Sequence, residues 1–245
     1  MANAYQDPKT AQKYLDFLNS KDGQIQQKVL LEAILSRLDK NHRLKLLDAG
    51  CGPGWLAGAL KKDFADVEAC DGSAVFINFA KKRYPDIDFK IAELDGYLPY
   101  KKNYFDAAIL NMVGPDLIGL VEAFKNLFGV LKPDGKLIMT IPNPGLTYPA
   151  AEWKKGWLDI LLGRKPKLKI NKFLARARNI HREFGKNSTI ASNYYPLADY
   201  VLSAQRGGLK LTKTLEIKSQ TDSKEFDLNY QLYRYPLLLL LEFEK

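Results

Sequence analysis

Three glycines near residue 50 alternate with other residues directly after a short apolar segment. Gly50, Gly52 and Gly54 follow the segment 44–48, and a helix-forming segment, 55–62, comes next. This order predicts a strand, a tight turn and a helix. Glycine permits a positive φ and lets a ligand approach the backbone without an intervening Cβ, and a helix N-terminus offers oriented N–H donors. The segment therefore predicts a binding loop for a nucleotide-like ligand.

The spacing of these glycines separates two kinds of nucleotide site. A dinucleotide loop has the pattern G-x-G-x-x-G and faces a pyrophosphate. Here the pattern is G-x-G-x-G, and Asp48 stands two residues before the first glycine. Its carboxylate suits a ligand with a positive charge and no phosphate. Asp71, at the end of the next predicted strand, lies about 20 residues after the glycines, where a carboxylate reaches a ribose diol.

The run LLDAGCGPG at 46–54 resembles the first motif of the class I S-adenosylmethionine-dependent methyltransferases. The resemblance covers roughly 43–245 and implies an enzyme that takes a methyl group from S-adenosylmethionine, with no metal ion. It also implies a set of cofactor-binding residues that lie mainly in the loops after the predicted strands. These are Asp48, Ala49, Gly50, Cys51, Gly52, Gly54, Asp71, Gly72, Glu93, Leu94, Asp95, Asn111 and Met112, with Tyr5 and Tyr14 from the N-terminal segment.

Three parts of that assignment stay open. The family clasps adenine in the loop after its third strand, typically with an acidic side chain, and the spacing here leaves Glu93 and Asp95 as alternatives. Tyr5 and Tyr14 resemble the tyrosine-bearing segment that closes over the cofactor in many small-molecule methyltransferases, although a surface helix would look the same. Asn111 is expected where the methyl donor meets its acceptor, or else it caps the next helix.

The order of the predicted elements indicates one α/β domain. The chain has 245 residues, 46% of them hydrophobic, which suffices for one such domain with an insertion. Strands and helices alternate up to residue 141, which predicts a parallel sheet with right-handed crossovers. The chain then ends on a strand, a connection and a strand (209–218 and 235–243), so the last strand is predicted to be antiparallel.

The predicted fold class is therefore α/β, a Rossmann-like three-layer sandwich with a seven-stranded, mostly parallel sheet and an antiparallel last strand. We expect a single methyltransferase domain over 1–245, in which 1–40 form an N-terminal helical lid.

Most of the net positive charge lies in the segment 146–192. The chain has a formal net charge of +9, and this segment alone has eleven lysines and arginines against three acidic residues. We expect a basic helical insertion that acts as a substrate lid, because related enzymes place one between the fifth strand and the following helix. Its cations could hold an acidic acceptor, nucleic acid or a membrane surface. A solvated charged face is the remaining interpretation.

Few residues need to be catalytic, because the cofactor supplies the reactivity and the protein supplies alignment. His181 is a candidate base near neutral pH, and Tyr194 or Tyr195 could orient an acceptor. The segment 111–114 reads NMVG in place of the (Asp/Asn)-Pro-Pro-(Tyr/Phe) tetrapeptide of the nucleic-acid amino-methylating enzymes. Neither cysteine follows a proline, as the pyrimidine carbon-5 enzymes require. We therefore expect a small-molecule acceptor that can be acidic, with an RNA-directed methyltransferase or a non-catalytic binding protein as alternatives.

The sequence also predicts a compartment. Cys51 and Cys70 are its two cysteines, and both are expected to be reduced thiols. The N-terminus lacks a signal-peptide pattern, and no apolar run approaches a membrane-spanning length. We expect a cytoplasmic protein without stable membrane insertion.

Overall fold

A computed structural model of the chain describes residues 4–39, 43–170, 177–183 and 189–245. Its strands fall into one large sheet and two separate hairpins. The strands are β1 (Lys45–Ala49), β2 (Asp66–Asp71), β3 (Asp88–Ile91), β4 (Phe105–Asn111), β5 (Leu131–Pro142), β6 (Ala151–Lys154), β7 (Lys167–Ile170), β8 (Ala177–Glu183), β9 (Thr189–Tyr194), β10 (Lys210–Ile217) and β11 (Leu238–Glu244).

The large sheet has seven strands in the order β10-β11-β5-β4-β1-β2-β3. The strands β1 to β5 pair in parallel, and β11 runs antiparallel to both of its neighbours, β5 and β10. The predicted fold class, including the antiparallel last strand, is confirmed. The carboxyl ends of β1 to β4 therefore lie along one edge, where open α/β sheets place their ligands.

Helices cover both faces of this sheet and complete the three layers. Leu46 and Leu47 are adjacent on β1 and enter different core clusters, because successive side chains of a strand point to opposite faces. One cluster includes residues of α2, α3 and α4, and the other includes residues of α5 and α7. The helices are α1 (Pro8–Asn19), α2 (Lys21–Leu35), α3 (Trp55–Leu60), α4 (Ala74–Arg83), α5 (Leu120–Val130), α6 (Trp157–Leu161), α7 (Leu197–Arg206) and α8 (Leu228–Arg234), and short 3-10 turns lie at Ala4–Gln6 and Gly114–Asp116.

The expectation that 146–192 is helical is wrong. The segment forms two antiparallel hairpins, β6–β7 and β8–β9, and its one described α-helix, α6, has five residues. In β6–β7, Ala151 pairs with Ile170 and Trp153 with Leu168, while charged residues occupy the alternate positions. That two-residue period is the pattern of a strand. The many lysines of the segment make this period hard to recognise in the sequence.

The connection between β10 and β11 also contains an element that the sequence pattern did not predict. Residues 219–227 are irregular, and the helix α8 follows. Asp227 caps this helix by accepting a hydrogen bond from the Tyr230 amide at 3.0 Å. With seven residues, α8 is too short to give a clear helical periodicity in the sequence.

Across the described ranges, every helix falls short of the length and apolarity that a bilayer-spanning segment needs. The same ranges hold no group of three histidine, cysteine or acidic side chains placed to bind a metal ion. Cys51 and Cys70 are buried free thiols, and burial raises the pKa of Cys70 to about 12.

The turn before α3 should be intolerant of a side chain at Gly54. Gly54 has a φ of +82°, and a Cβ there would lie 3.0 Å from Ala80 Cβ and from the Phe89 ring. We expect Gly54→Ala to lower the free energy of unfolding by about 2–4 kcal/mol, from the left-handed backbone and the overpacking together. The control is Gly129→Ala in α5, where a Cβ has no atom within 4 Å, and a gain of about 0.5–1 kcal/mol is expected. Urea unfolding measures both, and equal stabilities for the two variants would contradict this account.

Candidate active site

A cleft opens at the carboxyl edge of the sheet, with about 890 Å³ of space that includes its mouth to solvent. The loops after β1, β2, β3 and β4 line it, and so do the N-terminal segment and α2. The lining residues are Tyr5, Tyr14, Gln26, Asp48, Gly50, Cys51, Gly52, Trp55, Leu56, Asp71, Gly72, Phe76, Glu93, Leu94, Asn111, Met112, Val113, Asp116 and Leu117.

Hydrogen bonds to β2 and within the turn close the glycine loop. The amides of Gly50 and Cys51 both donate to the Cys70 carbonyl, at 2.7 and 2.9 Å. The Gly52 amide donates to Asp71 Oδ2 at 2.8 Å, and the Gly54 amide donates to the Cys51 carbonyl at 3.0 Å. These four N–H groups therefore close the turn and hold it against β2, and cofactor binding by the residues of the loop stays a prediction. The loop supplies room and shape, and it is not an anion-binding nest.

Asp48 is a buried carboxylate at the start of this loop, 1% exposed. Its Oδ2 accepts a hydrogen bond from the Ala57 amide in the first turn of α3 at 3.0 Å. Its Oδ1 has no hydrogen-bond partner among the residues that the structure describes. Burial raises the pKa of Asp48 to about 7. A buried carboxylate oxygen on a cleft wall favours a ligand that brings a hydrogen-bond donor or a positive charge.

Asp71 connects the glycine loop to the start of α4. In addition to the Gly52 amide, its carboxylate accepts the Ser73 amide at 2.7 Å through Oδ1. Burial raises its pKa to about 6, and the nearby charges of Glu93 and Asp116 add to the rise. A carboxylate has about four lone-pair sites, so Asp71 can accept further hydrogen bonds from a ligand in the cleft.

The structure separates the two acidic candidates after β3. Glu93 and Leu94 line the cleft, and Asp95 does not. Asp95 Oδ2 instead accepts a hydrogen bond from the Gly119 amide at 3.2 Å. The Glu93 carboxylate lies so close to the backbone of Gly72 that a Cβ at that position would be 2.3 Å from Oε1, so a side chain at residue 72 would displace this carboxylate.

The cleft is strongly acidic although the chain as a whole is basic. Asp48, Asp71, Glu93 and Asp116 all line it, and the described lining includes no lysine or arginine. Four carboxylates along one wall repel a pyrophosphate and attract a cation. The expectation of a non-phosphorylated, positively charged ligand agrees with this charge pattern.

The carboxyl end of β4 carries a strained residue. Met112 has a φ of +62°, a conformation that is costly for a residue other than glycine. Its amide donates to the Thr140 carbonyl at 2.9 Å, and the Thr140 hydroxyl donates to Asn111 Oδ1 at 2.7 Å. These bonds to β5 hold Asn111 and Met112 in the cleft wall, so the side chain of Asn111 does not serve as a simple helix cap.

The N-terminal segment lies over one side of the cleft. The Ser73 hydroxyl donates to the Tyr5 carbonyl at 2.7 Å, and Gln6 Nε2 donates to the Gly72 carbonyl at 2.7 Å. The rings of Tyr5 and Tyr14 pack on Phe76 of α4, with centroid distances of 5.2 and 5.7 Å. Both tyrosines therefore line the cleft, in the position that a covering segment needs.

Neither predicted catalytic tyrosine lines the cleft. Tyr194 is buried, and its hydroxyl donates to the Pro144 carbonyl at 2.9 Å. The Tyr195 hydroxyl donates to the Leu117 carbonyl at 2.8 Å. Both hydroxyls thus have structural partners, and the geometry gives no support to their orienting an acceptor. The backbone of His181 lies in β8, opposite Ala191, and its side chain lies outside what the structure describes.

Sequence reasoning missed several residues of the lining. Gln26, Trp55, Phe76, Asp116 and Leu117 all face the cleft. Asp116 had a usable signal, since it follows the same strand as Asn111 by a few residues. The position of Gln26 could not be inferred, because it depends on how α2 crosses the edge of the sheet.

The part of the chain that contains the cleft-lining loops is similar in sequence to known methyltransferases. Residues 47–139 match the family model described as a methyltransferase domain. The demethylmenaquinone methyltransferase of Paenarthrobacter aurescens is 29% identical over 106 residues, which is 43% of this chain and 42% of that protein. A malonyl-[acyl-carrier protein] O-methyltransferase of Pseudescherichia vulneris is 27% identical over 149 residues, 61% of this chain and 56% of that protein. The matches therefore span about half the length of these relatives.

Solved structures share the fold over most of the chain. An S-adenosylmethionine-dependent methyltransferase from Mesorhizobium loti has a TM-score of 0.68 at 20% identity, covering 87% of this chain and 96% of that one. A geranyl diphosphate C-methyltransferase from Streptomyces coelicolor, crystallised with S-adenosyl-L-homocysteine, has a TM-score of 0.58 at 15% identity, covering 89% and 80%. At these identities the similarity shows the fold alone.

Proposed function

We propose that this chain, a class I S-adenosylmethionine-dependent methyltransferase by its fold and family match, transfers the cofactor's methyl group to a small-molecule acceptor. The observation that carries the proposal is the Asp48 carboxylate, which is buried on the wall of an acidic cleft and whose Oδ1 has no hydrogen-bond partner among the described residues. A dinucleotide would bring a pyrophosphate against this charge. A sulfonium nucleoside brings a positive charge.

Each part of the cleft fits one part of this cofactor. Asp71 would accept the ribose hydroxyls with its remaining lone pairs, and Glu93 would accept the exocyclic amine of adenine beside the apolar Leu94. Asp48 and the loop from Gly50 to Gly52 would hold the methionine portion, whose ammonium group is the donor that Asp48 Oδ1 lacks. Tyr5 and Tyr14 would close over the nucleoside and exclude water from it.

When bound, the cofactor supplies an activated methyl group, and the chain has to align an acceptor with it. The acceptor would enter beside the segment after β4. Val113 and Leu117 provide apolar contacts there, and Asp116 provides the one carboxylate on that segment, suited to hold a proton of the acceptor. The described lining has no lysine or arginine that could pair with an acidic acceptor. Binding of an acidic acceptor by the cations of the insertion therefore stays a prediction.

The two matched enzymes are named for different acceptors, demethylmenaquinone and malonyl-[acyl-carrier protein]. The acceptor is therefore left at the level of a small molecule. The described cleft is lined partly by the N-terminal segment and is acidic, so it fits such a molecule better than a nucleic-acid strand, which is the alternative that the basic insertion raised.

Calorimetric titration of the purified chain tests the proposal. S-adenosylmethionine and S-adenosyl-L-homocysteine should bind with dissociation constants in the micromolar range that is usual for such ligands, and NAD should not bind. Release of S-adenosyl-L-homocysteine during incubation with candidate acceptors would then report turnover. Tighter binding of NAD than of S-adenosylmethionine, or no binding of either sulfur nucleoside, would overturn the assignment.

The choice between Glu93 and Asp95 gives a separate prediction. We expect Glu93→Gln to weaken S-adenosyl-L-homocysteine binding by about tenfold, since a hydrogen bond to a charged acceptor is lost from the cleft wall. Asp95→Asn is the matched control, and it should change the affinity by less than twofold because that side chain bonds Gly119 outside the lining. The same calorimetric titration compares both variants. A larger loss for Asp95→Asn would reverse the assignment of the adenine contact.

A further inference from the structure

The helix α6 presents its apolar side to solvent. Trp157, Ile160 and Leu161 are spaced so that they share one helical face, and they are 72%, 64% and 73% exposed. Leu162, in the following turn, is 56% exposed. This is the reverse of the usual arrangement, in which a helix on a protein surface turns its apolar stripe towards the core.

The polar residue of α6 points the other way. The Asp159 side chain is 15% exposed and pairs with Arg164 at 4.0 Å and with Lys167 at 3.9 Å. Asp159 Oδ2 also accepts the Gly156 amide at 3.3 Å, and the Asp159 carbonyl accepts the Arg164 amide at 2.8 Å. These bonds fix the helix and its turn in the orientation that exposes the apolar face.

The hairpin β6–β7, which carries α6 between its strands, is anchored to the rest of the domain. Trp153 of β6 packs edge-on against Phe226 and Tyr235, with centroid distances of 5.1 and 5.3 Å. Lys165 lies 3.9 Å above the Tyr230 ring and donates to the Ser223 carbonyl at 3.3 Å. The exposed face is therefore carried on a supported hairpin. We call residues 155–166 the α6 tip.

Lysines and arginines flank the apolar face of α6 along the chain. From 154 to 170 the chain has six lysines and arginines against one aspartate, and that aspartate is ion-paired inside the tip. Five of the fourteen large apolar side chains that are exposed in the described ranges also fall between Trp157 and Ile170. Exposed apolar residues that are flanked in the chain by lysines and arginines form the pattern of a segment that lies in the interface of an anionic membrane.

We propose that the α6 tip docks the protein onto the surface of an anionic lipid bilayer. Trp157, Ile160 and Leu161 would enter the boundary between headgroups and acyl chains, while the flanking lysines and arginines contact acidic headgroups. A second copy of this chain fits the face poorly, because it would bring an equal positive charge against it. Single-stranded nucleic acid stacks its bases on aromatic rings, and three of the four exposed tip residues are aliphatic.

The location of the tip fits docking. The segment 143–150 leads from the carboxyl end of β5 to β6, so the tip leaves the sheet at the same edge as the cleft. A docked protein would hold that edge near the bilayer without any segment crossing it. Docking is independent of methyl transfer, and its test uses neither cofactor nor acceptor.

The test is flotation of the full chain with vesicles. We expect binding to phosphatidylcholine vesicles that contain about one third phosphatidylglycerol, and at least about tenfold weaker binding to pure phosphatidylcholine, since each cation near an anionic surface adds to the affinity. The triple variant Trp157→Ser, Ile160→Ser, Leu161→Ser and the double variant Lys155→Glu, Lys169→Glu should each lose at least about tenfold. Matched controls are Leu202→Ser and Lys81→Glu, which change an exposed apolar residue and an exposed lysine on other helices, and these should bind like the parent.

A spectroscopic measurement locates the contact. Trp157 is exposed, whereas Trp55 lines the cleft and Trp153 is packed against other rings. Brominated acyl chains should quench the fluorescence of the parent in anionic vesicles, and Trp157→Phe should remove that quenching while it preserves flotation. Equal flotation of the parent and the triple variant would overturn the proposal. So would a concentration-dependent dimer that the triple variant abolishes, or retention on an acidic protein without retention on vesicles.

Discussion

Asp48→Asn is expected to make the ligand-free protein more stable at pH 8 and to weaken its binding of S-adenosylmethionine. In the folded chain the pKa of Asp48 is raised to about 7 from an ordinary value of 3.8, because the carboxyl group is buried. At pH 8 the group is ionised in both states, and its burial then costs on the order of 2–4 kcal/mol of folding free energy. Asparagine keeps an acceptor for the Ala57 amide without the charge, so we expect a gain of about 1–3 kcal/mol.

The sign of the pH dependence follows from the direction of this shift. Between about pH 4 and pH 7 the folded state holds a proton on Asp48 that the unfolded state has released. The free energy of unfolding therefore falls as the pH rises through this window, and it levels off above the folded pKa. Asp48→Asn should flatten that part of the profile. Urea unfolding at pH 5, 6, 7 and 8 measures it.

Cofactor binding should respond in the opposite way. A cationic ligand favours the ionised carboxylate, so the affinity of the parent for S-adenosylmethionine should rise from pH 6 to pH 8, with release of a proton that calorimetry in two buffers detects. We expect Asp48→Asn to lose about 10- to 100-fold in affinity at pH 8, the value of a hydrogen bond to a charged group.

Asp106→Asn is the control for this pair of effects. Asp106 is partly buried, which alone would raise its pKa, but a hydrogen-bonded ion pair with Lys132 and the Lys45 amide bring the pKa below its usual value. Its replacement should lower stability at pH 8 and leave cofactor affinity unchanged. If Asp48→Asn bound the cofactor as tightly as the parent, the carboxylate would serve only to cap α3.

The success of the sequence prediction differed between the sheet and its insertion for a physical reason. Strands such as β1 and β4 are buried on both faces, so they appear as short apolar runs. Gly50 follows the end of β1, and Asp71 marks the end of β2. The hairpin β6–β7 has only one side against the domain, and lysines occupy its other side and its tip. Charge then obscures the alternation, and a helix is predicted where a strand forms.

In the cleft, too, some features could be predicted from the sequence and others could not. Residues that follow strands along the chain could be placed, because parallel strands bring their carboxyl ends to one edge. The hydrogen bonds that close the glycine loop on Cys70 and Asp71 could not be predicted, since they depend on the register of β1 against β2. The sequence left Glu93 and Asp95 as alternatives because the path of the loop after β3 decides which of them faces the cleft, and it did not indicate Gln26 because that position depends on how α2 crosses the edge of the sheet.

The largest loss of cofactor binding is expected for Asp71→Ala. One carboxylate holds both the Gly52 amide, at 2.8 Å, and the Ser73 amide, at 2.7 Å, while it lines the cleft. Alanine removes the proposed contact to the ribose hydroxyls and also leaves two backbone donors without that acceptor. We expect the affinity for S-adenosyl-L-homocysteine to fall by at least about 100-fold, since hydrogen bonds to a charged group and the shape of the loop are lost together.

A structural loss and a loss of ligand contact can be separated for this residue. Asp227→Ala removes a carboxylate that likewise accepts a backbone amide, that of Tyr230, at a helix start outside the cleft lining. Both variants should lower the free energy of unfolding by about 1–2 kcal/mol because backbone amides lose their carboxylate acceptor, and Asp71→Ala alone should lose the ligand. Calorimetric titration and urea unfolding of both variants give the comparison. Were Asp71→Ala to be destabilised like Asp227→Ala yet bind S-adenosyl-L-homocysteine within threefold of the parent, Asp71 would only brace the turn, and the nucleoside would have to bind through other residues of the cleft.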